Sequence, residues 1–380
     1  GDVYKRQGHA DDVGGRPGDV EADVGVGDVG HADEGVEAAG DHGDPSPLAL
    51  AVLEHPRGDA QEGEQRQGLV GLAFLPDFLP DPFIGIICSV IIYAIGSGLI
   101  EVLCSPIIEA CPFENKEATM SLLHSFYCWG AVGTILVSTV FFLLFGIDNW
   151  KWLAVIFALI PAINIINFAT CPIESLVEEG QGMGIRKLFS NPMFLIAIVM
   201  MVCSGASELA MAQWASAYAE SALGFSKAVG DIAGPCMFAV TMGISRVLFG
   251  KAGDKMKLNR FMIGSGILCF VCYLLASFSE NPIIGLAGCI VCGFSVGIMW
   301  PGTISISSKA FPTGGTAMFA LLAMAGDLGG SIGPAIVGRG ADMFGGSIHV
   351  GMRIGLLFPI TLCFMLFLFN IMNHNANKQK

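Results

Sequence analysis

Three carboxylates stand where a charge is expensive. Glu208 follows twenty uncharged residues, 188–207, and eleven more separate it from Glu220. Asp327 has seventeen uncharged residues before it and eleven after. Glu101 closes an uncharged run that begins after Asp81. A charge at bilayer depth costs several kcal/mol, from about 3 to above 10, so such groups usually face a watery path or a partner. Their chemistry is to take up and release protons, which predicts a transport path with Glu208 and Asp327 as proton-coupling groups; Glu101, near the inner end of its span, is either a proton carrier too or an interfacial carboxylate that snorkels to water. The plain alternative is a neutral or paired carboxylate that only holds helices together. Other side chains suit a polar solute. Tyr127 and Gln213 can hydrogen-bond a polyol, and His124 can relay a proton. Trp214 and Trp300 offer ring faces on which sugars stack, although Trp also marks membrane interfaces.

The elements that position these groups are membrane spans. The 380-residue chain is 53% hydrophobic and 14% charged, against about 25% charged in soluble domains. A span needs about 20 apolar residues. Nine such runs are read: 82–108, 118–146, 150–172, 190–218, 230–250, 260–279, 282–307, 315–338 and 353–373. Gly293 and Gly297, Gly326 and Gly330, and Gly329 and Gly333 repeat at the four-residue spacing that lets helices approach closely in lipid. With the C-terminus inside, ten Lys and Arg fall in inner loops and four in outer ones, as the positive-inside rule requires. Arg246 is then placed at an inner helix end.

The net charge of −13 is a local property. Residues 1–78 hold 17 acidic and 5 basic residues, a net of −12, and residues 79–380 hold 16 and 15. From Gly8 to Asp44, 32 of 37 residues are Gly, Ala, Val, Asp or Glu, all of whose codons begin with G. Such a segment cannot bury a core. The expectation is a disordered, non-native acidic stretch over 1–78, from a wrong frame or a splice. A six-frame translation of the upstream DNA that reveals no apolar helices would count against it.

Enzyme chemistry is not expected. Ser, His and acids occur without a nucleophile elbow or triad spacing. The run Gly180-Gln181-Gly182-Met183-Gly184 has no strand before it, so it is no dinucleotide fingerprint. Cys269, Cys272, Cys289 and Cys292 have zinc-ribbon spacing, but they lie in apolar runs without donors to orient them and are read as small hydrophobes. No metal, cofactor or nucleic acid is expected.

The chain also resembles itself. Pro112, Gly130 and Gly133 match Pro312, Gly330 and Gly333 at an offset of 200, and Gly98 matches Gly297 at 199. Tyr127 falls opposite Asp327. Six crossings separate the copies, which keeps their orientation the same, as in parallel transporter repeats.

Gly243-Ile-Ser-Arg246-Val-Leu-Phe-Gly250-Lys-Ala-Gly253-Asp254-Lys255 resembles the loop motif of the major facilitator superfamily in its second-half form. That resemblance implies a conformational latch built from Gly243, Arg246, Gly250 and Asp254. Gly96-Ser-Gly98-Leu-Ile-Glu101-Val-Leu-Cys-Ser-Pro106, Leu123-His124-Ser-Phe-Tyr127-Cys-Trp129-Gly-Ala131 and Gly205-Ala-Ser-Glu208 resemble the fourth, fifth and seventh helices of fucose permease-like sugar transporters. Here Tyr127 takes a place where that family often has Asn.

The resemblance implies an all-α polytopic protein of six-plus-six architecture, with nine spans present. The divisions expected are a partial first half at 79–173, a cytoplasmic central loop at 174–189, a six-helix second half at 190–374 and a cytoplasmic tail at 375–380. The function implied is secondary transport of a small polar solute, a sugar, by alternating access with proton symport. The protein would work as a monomer in the lipid bilayer of an inner (plasma) membrane. A non-transporting sensor of the same fold, or a carrier of a non-sugar metabolite, is the alternative.

Overall fold

A computed structural model describes residues 59–170, 182–253 and 255–379. Among these residues every regular element is helical. Nine helical segments are long and apolar enough to cross a membrane. They are α2 (Pro82–Ala110), α3 (Lys116–Phe145), α4 (Ile147–Thr170), α5 (Pro192–Glu220), α6 (Lys227–Ala252), α7 (Leu258–Phe278), α8 (Pro282–Ala310), α9 (Gly315–Met343) and α10 (Ile348–Asn375). They answer one for one to the nine expected spans, with ends shifted by a few residues. A helix α1 (Asp59–Phe78) precedes them.

Local chemistry explains where several spans begin. Asp81, Asn191 and Asn281 each cap a helix whose first residue is proline, and each accepts a hydrogen bond from the second helical N–H. An Asx cap satisfies an otherwise orphaned donor, and proline at the first position gives up no needed one. Asn115 caps α3 through the Ala118 N–H at 2.9 Å. Gly224 closes α5 with φ of 66°, a left-handed turn that glycine adopts without strain.

The helices pack by small residues. Gly329 and Gly333 of α9 lie directly on the backbone of Val202 and Ala206 in α5, and Gly205 of α5 lies on Gly326. Gly293 and Gly297 of α8 face Phe238, Met242 and Ser245 of α6. Interfaces of this kind rely on close backbone approach, because lipid supplies no hydrophobic drive between helices. In the internal repeat, however, Gly98, Gly130 and Gly133 have no described atom within 4 Å of a Cβ position, where their partners Gly297, Gly330 and Gly333 are tightly packed.

The first segment departs from expectation. Disorder was expected through residue 78, yet residues 59–78 form α1. Apolar bulk was the wrong measure here. Gly68 of α1 sits against the backbone of Tyr93, and Gly96 of α2 against Gln61 and Gln65. Gly85 of α2 lies on Pro76. Lys151 binds Asp77 at 2.5 Å, and Asn164 donates to Glu62 at 3.1 Å. The expectations for residues 1–58, for loop residues 174–181 and for residue 380 lie outside the described residues.

Candidate functional site

The site is built around Arg246, on α6, which is only 2% exposed. Its guanidinium is planar and carries five fixed donors, and the structure spends them on three helices. Nη2 pairs with Glu208 Oε2 of α5 at 3.2 Å. Nη1 donates to the His124 carbonyl of α3 at 2.8 Å and lies 3.3 Å from Cys128 Sγ. Nε donates to the Gly297 carbonyl of α8 at 2.8 Å. That carbonyl is available because residue 301, its regular helical partner, is proline and has no N–H. The Ser121 hydroxyl of α3 returns a bond to the Arg246 carbonyl at 2.9 Å. The Arg246 guanidinium also lies 5.8 Å from the centre of the Tyr127 ring, within cation–π range.

Around this pair lie the other carboxylates. Glu101 of α2 is partly buried and within electrostatic reach of both Asp327 and Glu208. Tyr127 is within reach of Glu208, Arg246 and Glu101. Glu101, Glu208, Asp327, Tyr127 and Arg246 therefore form one neighbourhood drawn from α2, α3, α5, α6 and α9. Asp327 is exposed and pairs with no described cation. His124 joins through its ring as well as its carbonyl, since its Nε2 lies 3.3 Å from Ser105 Oγ. Ser105 stands one helical turn from Glu101 on α2.

The remaining candidates sit apart. Gln213 and Trp214 line a cavity of about 440 Å³ with Ala217, Ser331, Pro334 and Ala335. The Trp214 indole N–H is committed to the Pro334 carbonyl at 3.2 Å, so its ring face and not its donor is open to a ligand. Trp300 rests on Gly326, next to Asp327. Gly243 and Gly250 face Trp129, Cys128 and Leu122 of α3, and Asp254 lies outside the described residues.

The sequence reading put Arg246 at an inner helix end, with a partner across the bundle, but named no partner; in the structure Arg246 lies buried and pairs with Glu208 of α5. The signal was present: Arg246 interrupts an apolar run as Glu208 does, and the same rule applied to both would have placed them together. Cys128, Ser105 and Gly297 carried no local signal beyond the proline four residues after Gly297.

A further polar contact lies at one end of the bundle. Lys309 binds Glu117 at 2.5 Å, and the Ser308 hydroxyl donates to Glu109 at 2.7 Å. These contacts join the end of α8 to α2 and α3 beside a cavity of about 720 Å³.

Residues 68–334 match the Major Facilitator Superfamily. No curated protein sequence matches the chain. Among solved structures the chain is similar to the Escherichia coli fucose:proton symporter FucP, with 14% identity and a TM-score of 0.68 over 85% of each chain. It is similar to the proton:xylose symporter XylE bound to 6-bromo-6-deoxy-D-glucose, with 14% identity and a TM-score of 0.67 over 82% of this chain and 79% of that one. It is also similar to the human organic anion transporter MFSD10, with 14% identity and a TM-score of 0.60 over 84% and 82%.

Proposed function

We propose a substrate class and a coupling mode from one premise: the chain belongs to the Major Facilitator Superfamily and is a multi-pass membrane transporter rather than an enzyme. It moves a small polar solute, a sugar, across the cytoplasmic membrane by alternating access, as a monomer with its C-terminal tail in the cytoplasm. Uptake is coupled to protons. The observation that carries this reading is the gathering of Glu101 and Glu208 around Tyr127 and Arg246, with Asp327 of a third helix within electrostatic reach of Glu101. Carboxylates held at membrane depth mark ion and solute pathways. Such sites lie where the two repeats of a carrier meet.

The roles divide by position. Glu101 and Asp327, without described cations, carry the exchangeable protons. Glu208, paired with Arg246, couples that exchange to the helices. Tyr127 and Gln213 hydrogen-bond the solute, Trp214 and Trp300 offer ring faces, and His124 passes protons. The charge balance favours a neutral solute over an organic anion, because three carboxylates face one guanidinium already engaged with one of them.

A panel of labelled sugars in proteoliposomes under an inward proton gradient tests the reading. One sugar should accumulate, and Glu208→Gln should abolish its accumulation while leaving membrane insertion intact. Accumulation that ignores the gradient, or is unchanged in Glu208→Gln, refutes the coupling role.

A further inference from the structure

The cavity of about 720 Å³ at one end of the bundle has the size of a small-molecule site. It is separate from the carboxylate centre. None of Glu101, Glu208, Asp327, Tyr127 or Arg246 lines it. Its Glu109 stands eight residues beyond Glu101 on α2, about 12 Å along the helix.

One side chain in its wall is out of keeping with its neighbours. Buried hydroxyls on helices usually donate to the carbonyl one turn back. Thr303 and Ser307 do so, to Met299 and Thr303, each at 2.7 Å. Ser305 lies between them on α8, is only 5% exposed and lines the cavity, yet its hydroxyl bonds to no described residue. Ser308, three residues on and so on the same helix face, holds Glu109 Oε1 at 2.7 Å. The unspent Ser305 hydroxyl therefore lies one turn deeper than the Glu109 carboxylate.

The charges around this pair are unequal. Glu109 and Glu114 line the cavity and pair with no described cation. Both lining lysines are engaged: Lys309 with the Glu117 carboxylate, and Lys116 with the Glu109 main-chain carbonyl, each at 2.5 Å. The floor is apolar and aromatic, with Phe311, Met318 and Phe319 all buried. An anion would meet unpaired carboxylates here, and a neutral solute would leave them uncompensated. A cation suits both the carboxylates and the ring faces.

We propose that this cavity binds a primary ammonium carried on a small apolar body. The ammonium has three donors; it gives one to the Glu109 carboxylate and one to Ser305, while the body rests on Phe311 and Phe319. The site needs no assumption about the solute carried at the centre of the bundle.

The probe is radiolabelled phenethylamine, measured by equilibrium dialysis against the full chain in detergent, with the saturable part read as binding. One molecule per chain is expected. The neutral isostere 2-phenylethanol should compete at least about tenfold less well, and Glu109→Gln should weaken binding by at least about tenfold, as loss of a charged hydrogen-bond partner does. Ser305→Ala removes a neutral partner and should weaken it about fivefold. Asp327→Asn should bind as wild type does. Should Glu109→Gln fail to fold, Ser305→Ala and the 2-phenylethanol competition decide. The proposal is overturned by absence of saturable binding, by equal competition from 2-phenylethanol, or by wild-type affinity in Ser305→Ala together with any folded Glu109→Gln. Loss of binding in Asp327→Asn overturns it too, since the amine would then sit in the carboxylate centre.

Discussion

Two glycine-lined interfaces of this molecule behave differently. Between α5 and α9, both in the second half, glycine meets backbone: Gly329 faces the Val202 carbonyl, and Gly333 the Ala206 main chain, where a Cβ would lie 2.7 Å away. Between α6 and α3, which joins the halves, the approach is looser and side chains come first: a Cβ on Gly243 would lie 3.1 Å from the Trp129 ring, and one on Gly250 3.2 Å from Leu122 Cβ and 3.3 Å from the Ala118 carbonyl. The first contact has no give. The second is a softer surface, held by Ser121 and by the fork of Arg246. The lesson is a division of labour. Backbone packing makes a half rigid, while polar ties that can be broken hold one half to the other.

The comparison breaks most visibly at Gly329. Gly329→Leu should abolish the folded bundle, because a side chain there displaces backbone, and overpacking at such a contact costs about 3 kcal/mol or more. A monodisperse, wild-type-like peak in detergent gel filtration would show that the α5–α9 contact is as yielding as α3–α6. Arg246→Met should come next. It strands Glu208 as a buried, unpartnered carboxylate, at about 3–5 kcal/mol, and adding Glu208→Gln should recover most of the lost Tm. No recovery would mean that the α3 and α8 contacts, and not the ion pair, set the stability of this site.

Gly250→Ala sharpens the softer side. The added methyl approaches Leu122 and the Ala118 carbonyl at 3.2 and 3.3 Å, and alanine is the better helix former by up to about 1 kcal/mol. Stability should therefore change by less than about 1 kcal/mol, while uptake slows if α3 must slide on α6. Tm and initial uptake rate, measured together, separate the two effects. The smallest effect is expected at Lys309→Ala. The Lys309–Glu117 pair is largely exposed on the lysine side, and exposed pairs contribute about 0–1 kcal/mol. A large stability loss there would move the tie between halves from Arg246 to the bundle end.

Much of this architecture was legible before any coordinates. Span length and polarity are local quantities, so the nine spans follow from apolar runs alone. The Asx-Pro starts of α2, α5 and α8 follow from cap chemistry, and the four-residue glycine spacing in α9 marked its packed face. The carboxylates Glu101, Glu208 and Asp327 were legible for the same reason: a charge in an apolar run is conspicuous without knowing its neighbours. What was not legible is who meets whom. α1 lacks apolar bulk, and its packing rests on glycines of both α1 and α2 and on polar ties to α4.

The sequence by itself determined that this is a helical membrane bundle with costly carboxylates at depth, because hydrophobic length and isolated charge are properties of single segments. Only the tertiary structure decided that Arg246 partners Glu208, 38 residues away, and grips His124, 122 residues away. It also decided that Trp214 has committed its donor to Pro334. Helical periodicity says which face a residue occupies, but which helix lies opposite that face depends on how close backbones can come. That is set jointly by glycines and prolines on several helices at once.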